Sequence, residues 1–117
     1  MTPKELQDRT KQFALDAMAL ARELPTSLDG RRVGGQLIDS ATAVAANYRA
    51  ACRARSRAEF AARIGVVLEE SDESLFWLEL IGEAALAPRP RIARLLKEAF
   101  ELTAIFAATR KTVTARR

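Results

Sequence analysis

Apolar residues recur along the chain in alternating steps of four and three, the spacing of a helix that buries one face. Leu6, Thr10, Phe13, Ala17, Leu20 and Leu24 make the first such stripe. Thr2 caps it, Pro3 suits the first helical position, and Glu5 completes a capping box. Pro25 closes this helix, predicted over 3–24. The turn residues Pro25 to Gly30 lead to a second stripe, Val33, Leu37, Ser40, Val44, Asn47 and Ala51, widened by Ala41 and Tyr48. This gives a helix over 30–54. Gly34 and Gly35 near its start imply either an irregular first turn or a neighbouring backbone that comes close.

A second capping box, Ser56 to Glu59, opens a third helix over 57–86. Its stripe is Phe60, Ile64, Val67, Ser71, Ser74, Leu78 and Ile81, flanked by Leu68 and Leu75. At about 1.5 Å per residue it exceeds roughly 40 Å, long for a globular protein. Pro88 and Pro90 end it. Ile92, Leu95, Leu96, Ala99, Leu102 and Phe106 mark the fourth helix, over 90–112. Without any alternating strand pattern, the expected fold is all-α, a single antiparallel up-down-up-down four-helix bundle spanning residues 1–117.

Composition narrows the chemistry. The 117 residues include no His and one Cys. The first removes the commonest acid–base side chain near neutral pH, and the second rules out paired-cysteine metal and redox motifs. The expectation is a protein that is not an enzyme, with no catalytic residue, metal or cofactor. No apolar run approaches the roughly 18 residues needed to span a bilayer, and Met1 to Asp8 lacks the apolar segment of a secretory signal. A cytoplasmic location without membrane contact is expected. Nineteen Lys and Arg against fifteen Asp and Glu give +4, compatible with nucleic acid but also ordinary for solubility.

The blocks Gln36 to Ala51, Arg53 to Phe60 and Glu69 to Leu80 resemble the small four-helix-bundle proteins encoded in intervening sequences of bacterial 23S ribosomal RNA genes. The resemblance runs over nearly the whole chain. It implies a left-handed antiparallel bundle, assembly into a ring-like homopentamer and no known enzymatic activity. It also implies kinship with the basic accessory protein of diversity-generating retroelements, which binds nucleic acid and a reverse transcriptase. The chain departs from the commonest pattern at Ala50-Ala51, where many members carry Glu-Gly, and at Ala43, where the family has serine.

Within this frame the charges divide. Arg49, Arg53, Arg55 and Arg57 crowd the turn between the second and third helices, with Arg63 beyond it, and the tail adds Arg110, Lys111, Arg116 and Arg117. Guanidinium forks suit phosphate oxygens, so these residues are candidates for binding RNA or DNA if both groups share one end of the bundle. The alternative is a solvated surface whose arginines pair with a neighbour's carboxylates. Those carboxylates are conspicuous: Glu69, Glu70, Asp72, Glu73, Glu79 and Glu83 occupy a stretch with no Lys or Arg. A di-metal carboxylate bundle would want Glu-x-x-His pairs, which are absent. The better reading sets the acidic face against a basic face of the next helix or subunit.

Asn47, on the apolar stripe, is read as a structural amide that bonds across the bundle to Ser71, Ser74 or a backbone carbonyl and fixes helix register; a ligand contact is the rival. Ser40 is placed to share that network. Phe76 and Trp77 point about 100° apart, so at least one is exposed, as at an oligomer interface. Cys52, among arginines but with no base nearby in sequence, is not read as a catalytic thiol. Together these features predict a non-enzymatic oligomer that binds nucleic acid or a ribonucleoprotein through an arginine-rich end. The alternative is a protein-interaction scaffold whose ring-like oligomer binds a protein partner.

Overall fold

The computed structural model describes residues 1–115, as four helices: α1 (Pro3–Glu23), α2 (Leu28–Ala51), α3 (Arg57–Glu83) and α4 (Arg89–Thr114). Each packs on its successor, and α4 returns to α1 through the thinnest of the four seams. The result is an antiparallel up-and-down bundle of 47 × 22 × 19 Å. The all-α fold class read from the periodicity is the fold observed. Among the described residues no helix is long and apolar enough to cross a membrane.

Local chemistry explains where the helices begin and end. Thr2 accepts from the Glu5 amide while Glu5 accepts from the Thr2 amide, satisfying two amides that α1 leaves unpaired. Ser27 caps α2 by accepting from Gly30, so that helix starts at Leu28, earlier than 30. It stops at Ala51 rather than 54. Ser56 caps α3 through the Glu59 amide, but Glu59 reaches back to the Arg55 amide, one residue beyond a standard box. α3 finishes at Glu83, not 86, because Ala85 turns into the left-handed region at φ 55° and Leu86 then donates to the Ile81 carbonyl. α4 begins at Arg89 and runs on to Thr114, past the predicted 112.

The core is built from the predicted stripes. Phe13, Leu20, Leu37, Val44, Ile64, Leu78, Ile81, Ile92, Leu102 and Phe106 are all but inaccessible. Small residues bring α1 and α2 together: a Cβ at Gly34 would lie 3.3 Å from Leu24 and 3.8 Å from the Ala21 carbonyl, the close approach foreseen for this glycine. Gly30 is tighter still, since any side chain there would run into the Pro25 carbonyl.

Polar core contacts follow a different pairing from the predicted one. Ser74 donates to Ser40 at 2.9 Å across the α2/α3 seam, and Ser71 meets Thr103 of α4 at 2.7 Å. Asn47 reaches neither Ser71 nor Ser74. Its amide nitrogen donates to Ala43 in its own helix, and its oxygen accepts from Arg63 at the half-buried edge of α2. Steps of 3.5 drift about 20° per heptad against a 3.6-residue helix, and the buried line after Ser40 passes through Val44, Tyr48 and Ala51 instead.

Candidate nucleic-acid interface

The up-and-down path carries the start of α1, the end of α2, the start of α3 and the end of α4 to one end of the bundle. Arg49, Arg53, Arg55, Arg57, Arg110 and Lys111 therefore gather there, from two stretches of chain more than fifty residues apart. Arg116 and Arg117 lie outside the described residues.

Their local settings differ. Arg49 and Lys111 sit in the last turns of α2 and α4, where a cation complements the helix dipole. Arg110 lays its guanidinium over Gly65 of α3, where an added Cβ would lie 3.7 Å from it, in ordinary van der Waals contact. Arg57 has the opposite setting, at the first position of α3, where the dipole disfavours positive charge. Its Nε donates to the Val113 carbonyl at 3.3 Å, tying the start of α3 to the end of α4. Arg53 and Arg55 flank the turn and are exposed.

Salt bridges between helices are confined to one seam of the bundle. Cations on the α1/α4 seam are matched: Arg9 with Glu98 and Glu101, Arg91 with Glu23, Arg94 with Asp16. Among the described residues, none of Arg49, Arg53, Arg55, Arg57, Arg110 and Lys111 forms a salt bridge. Nor do the acidic residues from Glu69 to Glu83. Among the described residues, the expected pairing of the acidic face with a basic face of the next helix does not occur.

Two lysines missed in the sequence belong here as well. Lys4 and Lys11, two turns apart on α1, face Arg49 and Arg53 of α2 across a shared groove. Their signal was the seven-residue spacing, which means little until α2 is known to lie alongside. Cys52 is exposed beyond the end of α2, beside the Tyr48 hydroxyl, whose pKa is pushed up chiefly by burial and then by the thiol. Tyr48 itself is a core residue, its ring 5.4 Å from that of Phe106.

On the outer face of α3, Phe76 is 51% exposed, while Trp77 packs partly against the core and donates its indole N–H to Glu73. The exposed member of the pair is Phe76. The sequence reading missed Phe100 on α4, which is 65% exposed. Among the described residues no cluster of carboxylates and thiols is placed to hold a metal ion.

No protein-family model matches the chain, and no curated protein matches it. Solved structures do match, among them the crystal structure of a protein with unknown function from the S23 ribosomal protein family, from Bacteroides thetaiotaomicron. It superposes with a TM-score of 0.78 at 25% identity, over 90% of this chain and 97% of that one. The chain has the four-helix fold of an S23-family protein. That family is the one associated with 23S rRNA intervening sequences, which the Gln36 to Phe60 block resembles. The S23 neighbour is itself of unknown function, so it supplies a fold and no activity.

Proposed function

We propose that this protein is a non-enzymatic, cytoplasmic four-helix bundle that self-associates and binds nucleic acid or a ribonucleoprotein through its basic end. One observation carries the reading: six cations from two distant stretches of chain converge on one end, and none forms a salt bridge among the described residues. Cations gathered on one surface without carboxylate partners raise the potential that attracts phosphate. Arginine predominates, which favours bidentate contact with phosphate oxygens. The test is an anisotropy titration of a labelled structured RNA at low salt. Wild type binds, and Arg53→Glu with Arg55→Glu loses at least tenfold in affinity while the melting curve is unchanged. Equal binding by the charge-reversed protein overturns the reading.

Self-association rests on a separate observation. Phe76 and Phe100 are large apolar side chains left half or more exposed on the outer faces of α3 and α4. The unpaired carboxylates of α3 surround the first of them, matching the basic surface of a second copy in charge. A ring of five copies is the stoichiometry the family resemblance implies. Should the assembled protein bind no nucleic acid, the same face supports the scaffold alternative, in which the oligomer binds a protein partner.

A further inference from the structure

We infer that the groove between α1 and α2 is a track for the phosphate backbone of a nucleic-acid duplex, with Lys4 and Lys11 as contact residues alongside Arg49 and Arg53. The inference rests on the basic-end reading and extends it onto a helix that reading does not include. The groove encloses about 430 Å³. Lys4, Lys11, Arg49 and Arg53 line it against a single carboxylate, Asp8, which accepts from Lys4 at 2.7 Å. Four cations therefore face one anion. The comparable groove between α1 and α4, about 480 Å³, sets Arg9, Arg94 and Lys97 against Asp16, Glu98 and Glu101 and is neutral. Charge, not size, separates the two.

Geometry fits a backbone better than bases. Lys4 and Lys11 are seven residues apart on one stripe, about 10 Å along the helix axis. With one phosphate per 3.4 Å of axis on each strand, that is a span of roughly three phosphates. Between the charged residues the wall of α2 is Thr42, Ala45 and Ala46, small enough to let a strand approach. Thr42 spends its hydroxyl proton on the Ile38 carbonyl, and the Gln7 amide on the α1 wall is a further donor toward phosphate. No aromatic side chain lines the groove, and the rings nearest in sequence, Phe13 and Tyr48, are buried. A single strand bound without sequence preference relies on such rings for stacking. The groove offers charge alone, which suits a duplex whose bases stay stacked.

The test compares three proteins on a fluorescein-labelled RNA duplex and on oligouridine, between about 50 and 200 mM salt. They are wild type, Lys4→Ala with Lys11→Ala in the groove, and Arg55→Ala with Lys111→Ala outside it. Thermal melts confirm that all three fold. The groove variant is expected to lose about tenfold in duplex affinity, with a log–log salt slope shallower by roughly two. Wild type is expected to bind duplex more tightly than oligouridine. If the groove variant binds like wild type while the Arg55/Lys111 variant is weakened, the groove assignment is wrong and the basic end stands. Absence of wild-type binding at the lowest salt overturns both. Equal affinity for oligouridine overturns the duplex assignment.

Discussion

Arg9 clasps Glu98 across the seam between α1 and α4, its Nε and Nη2 each donating to a different carboxylate oxygen at 2.7 Å. Nη2 also donates to Glu101 at 2.8 Å. Further along, Arg91 holds Glu23 with two bonds of 2.7 Å, and Arg94 reaches Asp16 at 3.3 Å. Arg9, Asp16 and Glu23 recur every seven residues on α1, and α4 answers with opposite charge at each level. Shifting either helix by two turns would set one pair of like charges together and leave only one of the three levels matched, so the charge pattern favours the observed register of this seam.

Replacing Arg9 therefore tests stability without touching the basic end. The guanidinium is 26% exposed and doubly bonded, so Arg9→Met should cost about 1–2 kcal/mol, more than a typical surface pair. Thermal melts should show a Tm several degrees lower, and Arg9→Lys, which keeps the charge but loses the fork, should recover only part of it. Nucleic-acid affinity should be unchanged in both variants.

The Ser40–Ser74 contact makes a different prediction. Each hydroxyl has a fallback, Ser40 to the Leu37 carbonyl and Ser74 to the Glu70 carbonyl. Neither single Ala variant strands a buried donor, so each should cost about 1 kcal/mol or less by denaturant titration. The double variant should cost less than the two singles together, because the bond between them is lost only once.

The helices were legible because their ends are written in side chains: Thr2, Ser27 and Ser56 cap, and the prolines interrupt. What escaped depends on neighbours. The end of α3 is set by the backbone of Ala85, and alanine gives no hint of a left-handed turn. Asn47 was assigned to the core by a stripe that drifts off the buried line. Phe100 went unnoticed because only the inward residues of α4 were followed. Lys4 and Lys11 become a site only when α2 lies beside them, which periodicity within one helix does not express. The arginine-rich turn was legible, since its residues are close in sequence, but its lack of partners was not.

Burial, and then the neighbouring carboxylates of Glu73, Glu69 and Asp39, raise the pKa of Glu70 from its ordinary value. A carboxyl with a raised folded-state pKa favours the fold less once it is charged. At neutral pH that penalty is present, and well below the unfolded value both states are protonated and it vanishes. Glu70→Gln should therefore raise the Tm slightly at pH 7, with the gain fading as the pH falls below about 4. A constant gain at all pH values would point to packing instead.

Phe76 and Phe100 predict the state of assembly. Sedimentation of the wild-type protein at micromolar concentration should show a species several times the 12.9 kDa chain. Phe76→Glu with Phe100→Glu should sediment as a monomer and melt close to wild type, since both rings are half or more exposed already. A monomeric wild-type protein would remove the interface from the account.

Whether the basic end binds phosphate is decided by the salt dependence of wild-type binding to a structured RNA. With six unpaired cations at the basic end, log K should fall linearly with log salt at a slope near −5, about 0.9 per phosphate neutralised. Binding that is absent at about 50 mM salt, or that holds unchanged to 200 mM, would contradict it.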